Sequence, residues 1–199
     1  SPKIWYIGDT VASLQATEFI HPEEPQRVYL LHLPVYDFSI KTALVSAPFY
    51  WRNKQLMAAR PGKIRKISLR YSDSEKQGFT LIQRQDSAFI KAGRANQSKS
   101  HIARYLSYFA DHVTYEAEAS PKQVNPDTLL KQTPAIELLL QTKNDTTTLG
   151  IYRMPAANSG HPYNLNKAYA ALNKRPPVFI IRYYALDPWL KERSYFFKR

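Results

Sequence analysis

Five histidines and sixteen carboxylates are the groups in this 199-residue chain best suited to acid–base or metal chemistry, and their spacing argues against both. No two histidines stand at the i, i+4 interval that places paired ligands on one helix face. His101 and His112, on one expected helix, are eleven residues apart, or about 16 Å at 1.5 Å rise per residue. Cysteine is absent, which removes thiolate ligands, disulfides and thiol catalysis together. Asp111 and His112 are neighbours and so project about 100° apart on a helix. Glu116 and Glu118 share one face of an extended segment, most simply a solvated one, and Glu23–Glu24 has no evident partner. No serine lies in a G-x-S-x-G elbow, and six scattered glycines form no phosphate-cradling loop. No catalytic residue, metal or cofactor is expected, and a hydrolase of unfamiliar type is the least favoured reading.

The stretch Pro48–Lys54, "PFYWRNK", offers binding chemistry. Phe49, Tyr50 and Trp51 resemble a base-stacking platform, with Arg52 and Lys54 to meet phosphate. Consecutive residues of an extended segment point to opposite faces, however, so three rings in a row do not build one platform. The favoured reading is a structural plug of Phe49 and Trp51 with Arg52 over a ring. An internal echo supports it: "RVYLLHL", "SIKTALVS" and "FYWRNK" recur in kind as "PVFIIRY", "DPWLKERS" and "YFFKR".

The formal charge of +12, from 28 basic and 16 acidic residues, favours polyanions or anionic surfaces as encounter partners. The excess is spread over both halves of the chain, so no basic tail or dedicated groove is visible. On the expected strand Ile64–Tyr71, Lys66 and Arg70 share the face opposite Ile67, Leu69 and Tyr71, and Arg84 on the next strand joins them. These three cations, with Tyr105 and Tyr108 on a helix flank, are the candidate interaction surface. No specific nucleic-acid recognition is expected of it.

The elements that must position these residues are mostly extended. Strands are expected at Lys3–Ile7, at Arg27–Leu33 as a buried run, at Ile64–Tyr71 and at Phe79–Arg84 across the turn "SDSEKQG". Others follow at Ala135–Gln141, Thr148–Met154 and Val178–Tyr184, with weaker ones at 88–91 and 113–118. A helix over Ser100–Asp111 has Ile102, Leu106, Phe109 and Val113 on one stripe. Asn125-Pro126-Asp127 and Asp187-Pro188 carry helix-start signals, and short helices are expected at Ser39–Ser46 and Asn166–Leu172. With 44% hydrophobic residues and fourteen prolines, the composition is that of an ordered globular chain. The fold class is mixed α/β of the α+β type: largely antiparallel sheets with short helices packed on them. Two related units of unequal size are expected, a short one at 1–60 and a longer one at 61–199, or one continuous domain.

The blocks "IWYIGDT", "RVYLLHLP", "FYWRNKQLMAARPGKIRKISLRY", "GFTLIQRQDSAFI" and "PVFIIRYYALDPWLKERSYFFKR" resemble those of the DUF4340 proteins, a bacterial family of unknown function. The likeness spans most of the chain as spaced hydrophobic blocks and leaves out 92–99 and 155–162. It implies a periplasmic or surface location behind an N-terminal membrane or lipid anchor that this chain lacks. It also implies a role beside an envelope transport system and carries no catalytic residue. The resulting expectation is a non-catalytic envelope module that binds protein or polymer. The alternative is a polyanion or nucleic-acid binder acting through a dispersed basic surface.

Overall fold

The computed structural model describes residues 5–11, 16–32, 53–84, 87–91, 96–110, 113–156 and 160–197. The expected helix Ser39–Ser46 and the plug residues Phe49, Trp51 and Arg52 lie outside them, as do Asp111 and His112. The chain divides into two compact units, Ser1–Asn53 and Lys54–Arg199. Among the described residues no helix is long and apolar enough to cross a membrane.

The first unit contains a three-stranded antiparallel sheet, ordered β1 (Tyr6–Val11), β2 (Ala16–Ile20) and β3 (Val28–Leu31). Trp5 meets His21 and Tyr29 edge-on, with ring centroids 4.8 and 5.8 Å away. Residues 27–32 of the run expected to be buried are exposed throughout, with Val28 at 55% and Leu30 at 51%, and Leu33 lies outside the described residues. β3 is an edge strand, and apolar composition alone does not supply a covering layer.

The second unit is built on an eight-stranded sheet in which every pairing is antiparallel. One meander runs through β4 (Ile64–Tyr71), β5 (Phe79–Arg84) and β6 (Ser87–Ile90). After the two-residue β7 (Ala117–Glu118), a second runs through β8 (Ile136–Thr142), β9 (Thr146–Pro155), β10 (Tyr163–Leu172) and β11 (Arg175–Arg182). Pairing of β4 with β8 fuses the two, and β7 closes the far side on β11. Helices are short: α1 (Lys99–Ser107), α2 (Pro126–Leu130) and α3 (Tyr183–Leu186). The architecture is α+β, mainly antiparallel sheet.

Period-2 alternation gives the large sheet two different faces. One presents Ile67, Leu69, Phe79, Leu81, Leu138, Leu149, Ile151 and Ile181, all buried. Onto it pack Ile102, Tyr105 and Leu106 of α1, then Phe109, Leu186, Trp189 and Phe196, again all buried. Phe79 touches both Tyr105 and Phe196, at centroid distances of 5.4 and 4.6 Å. Trp189 stacks on Phe109 at 5.2 Å with planes 4° apart. On the opposite face, a smaller cluster of Tyr152, Tyr169, Ala171, Val178 and Ile180 is closed by Leu129 of α2.

Helix starts follow local chemistry. Asn125 accepts a hydrogen bond from the Thr128 amide at 3.2 Å, with Pro126 at the first helical position, as its sequence predicts. Ser98 caps α1, two residues before the expected start. Two expectations fail. Residues 166–172, rich in helix formers, belong to β10, because a place between β9 and β11 buries Ala168, Ala170 and Ala171 from both faces. Asp187-Pro188 starts no helix: α3 ends at Leu186, and a turn over 187–189 carries Trp189 into the core.

Candidate functional site

The second face of β4 carries Lys66, Ser68 and Arg70, and cross-strand register says what stands beside them. Lys66 is opposite Ile82 and Ser68 opposite Thr80, so Thr80, Ile82 and Arg84 of β5 point the same way. Arg70 is opposite Glu137 of β8. Unlike the part beneath α2, this region carries mostly exposed or half-buried side chains. The Ser68 and Thr80 hydroxyls meet at 3.1 Å. The Arg70 guanidinium stands 3.8 Å from Glu137, and its side chain is 78% exposed.

Over this floor the segment following α2 and the β10–β11 turn rise as walls, enclosing a groove of about 750 Å³. Lys131, Gln132, Thr133 and Pro134 line one side, Lys174 another, and Glu75 and Lys91 also border the groove. The volume is that of a site for a small ligand or a few units of a polymer. Gly78 at the margin is required by close approach: a Cβ there would lie 2.8 Å from the Leu69 carbonyl oxygen. Four cations and two carboxylates line the groove, so its own balance is positive.

The structure redistributes the residues expected to interact. Lys66, Arg70 and Arg84 do share a face, yet only Arg70 lines the groove. Tyr105 is not a surface residue: it is 0% exposed and donates its hydroxyl to the Trp189 carbonyl at 2.8 Å. It occupies the same stripe as Ile102 and Leu106, facing the sheet and not the flank. Tyr108 is half-buried, and its carbonyl accepts the Trp189 indole N–H at 3.0 Å. The groove lysines Lys91, Lys131 and Lys174 were not singled out by sequence. Lys131 lies in a loop without a periodic pattern, and the helix expected over 166–172 hid the turn that holds Lys174.

Elsewhere, titratable groups are held in structural pairs. Glu116 lies 3.0 Å from both Lys167 Nζ and Arg182 Nε. Hydrogen bonds from Arg182 and Lys167 push its carboxyl down to about 2, so it stays ionised at neutral pH and serves no acid role. His101 donates Nδ1–H to the Tyr195 carbonyl at 2.7 Å and stacks on the Tyr195 ring. Burial first, then Glu192 and Asp187, pushes Tyr71 up to about 12, and burial raises Tyr105 well above its ordinary value. Among the described residues no group of three His, Asp or Glu is placed to hold a metal ion. Against known proteins, this chain matches no protein-family model, no curated protein and no solved structure.

Proposed function

We propose that the protein is a non-catalytic module of the bacterial cell envelope that binds protein or polymer through the less-covered part of its large sheet. The observation that carries this is the groove on β4, β5 and β8. It combines volume, hydroxyls and a positive balance, and its two best-placed hydroxyls face each other instead of a histidine. The location, an anchored periplasmic or surface site, and a role accessory to envelope transport rest on the resemblance of the hydrophobic blocks to DUF4340 proteins alone, with no family-model match beside it. The test is co-sedimentation of the purified chain with isolated envelope material at rising salt. Retention that Arg70→Glu weakens supports the reading; no retention at any salt sinks it.

The formal charge of +12 and the shared face of Lys66, Arg70 and Arg84 favour a second reading, a general polyanion binder. That reading expects duplex DNA to bind at roughly 10⁻⁴–10⁻⁶ M near physiological salt, with a steep salt dependence that Lys66→Ser/Arg70→Ser flattens. Nanomolar or sequence-selective binding would promote it to first place.

A further inference from the structure

We propose that the groove binds an anionic glycan, with sugar hydroxyls on its floor and the acid groups at its lysine rim. This rests on the binding-module reading and names the ligand class.

The rim comes first. Lys91, Lys131 and Lys174 are exposed and make no ion pair among the described residues. A lysine ammonium is a compact point charge with three donors, suited to carboxylate or phosphate oxygens approached from varied angles. Lys174 carries a further signal. It follows Asn173 in the two-residue turn between β10 and β11, and the two residues have φ of 53° and 52°. Such paired left-handed residues form a type I′ turn, whose second position favours glycine. A lysine there costs about 1 kcal/mol of backbone strain, and in return its charge stands over the groove.

The floor decides between kinds of anion. Thr80 offers a half-buried hydroxyl that both donates and accepts, backed by the buried Ser68 hydroxyl 3.1 Å away, Glu137 accepts, and Arg70 donates through a planar fork. This set matches neighbouring sugar hydroxyls, which also donate and accept. The 3.8 Å separation of Arg70 from Glu137 leaves both able to turn to a ligand. An acidic peptide fits less well. β4 lies between β5 and β8, and β5 between β4 and β6, so the floor has no free strand edge for strand addition. Nor does it present the continuous apolar strip that takes an amphipathic helix, because charged and hydroxyl side chains interrupt its apolar lining.

The experiment is fluorescence anisotropy on the whole chain with four labelled probes. They are a galacturonate tetramer, its neutral methyl ester, a mannosyl-phosphate tetramer and a tetraglutamate peptide. The expected result is saturable binding of the galacturonate or the mannosyl-phosphate tetramer, whichever is tighter naming the carboxylate or phosphate source. The ester should not bind, and tetraglutamate should bind about tenfold more weakly. Lys174→Gly should raise the thermal midpoint, by relieving the turn, while weakening the tighter probe about tenfold. Lys143→Ser, an exposed lysine of the β8–β9 turn outside the groove, should leave affinity within about twofold. Equal binding of tetraglutamate, unchanged affinity in Lys174→Gly, or no binding of either hydroxylated anion overturns the proposal. If envelope co-sedimentation persists in those cases, the glycan assignment alone falls; if it too is absent, both readings fall.

Discussion

Removing the Trp189 indole tests whether the core is assembled as described. The residue is 0% exposed, stacks on Phe109 with planes 4° apart and donates its indole N–H to the Tyr108 carbonyl at 3.0 Å. Trp189→Ala empties a large aromatic site, which costs about 3–5 kcal/mol. It also leaves a partly buried carbonyl without its donor, adding about 1 kcal/mol. Trp189→Phe keeps the ring packing and loses the hydrogen bond and some volume, at about 1–2 kcal/mol. The Tyr105 hydroxyl still reaches the backbone carbonyl of residue 189 in both variants, so that bond does not confound the comparison. At about 2–4 °C per kcal/mol for chains of this size, the alanine variant should melt about 8–24 °C lower. Far-UV circular dichroism in urea is the suitable readout, because tryptophan fluorescence changes with the substitution itself. An alanine variant within about 1 kcal/mol of the parent would refute the core assignment. A phenylalanine variant as damaged as alanine would place the energy in the hydrogen bond and not in the ring.

Two further predictions concern pH. Glu116, held near 2, contributes stability that is present above its ordinary value and lost as pH falls toward 2; Glu116→Gln should flatten the decline between pH 5 and 2. Because that side chain is 36% exposed, its worth at neutral pH is at most about 1 kcal/mol, and an unchanged acid limb in urea titrations would refute the coupling. Tyr71 is the opposite case. Its neutral form is favoured in the fold, so stability is present below its ordinary value of 10.0 and declines as pH rises to about 12. Tyr71→Phe should therefore hold its urea midpoint better across that window, relative to pH 8, and equal slopes would count against it.

Strands with clean alternation were readable from sequence. Ile64–Tyr71 and Phe79–Arg84 form with the expected ends, and their partition into core and polar faces follows directly from the two-residue period. The stripe Ile102, Leu106, Phe109 and Val113 is buried as its spacing predicts. What failed was whatever a neighbour decides. Ala168–Leu172 has helical propensity but fills the middle of a sheet, and Tyr105 lies on the buried side of its helix because Phe79, Phe109 and Phe196 surround it. The basic face was legible from β4 and β5 alone. The groove was not, since its walls come from two loops more than sixty residues downstream of Arg70.

The outer strand β6 ends against a side chain that imitates a backbone. The Gln97 carboxamide receives the Ile90 amide at 2.9 Å and donates to the Ile90 carbonyl at 3.0 Å, as a neighbouring strand would. Gln97 itself is bridged to Phe197, and Ser98 to the Phe196 carbonyl. The sheet margin is thus latched by residues made about a hundred positions after β6, the same region that lodges Trp189 and Phe196 in the core. During synthesis, β4, β5 and β6 leave the ribosome long before that latch exists, presenting an open margin and an apolar face that α1 covers without Trp189 and Phe196. The nascent chain is therefore most exposed to self-association in that interval, when chaperone contact has most to protect.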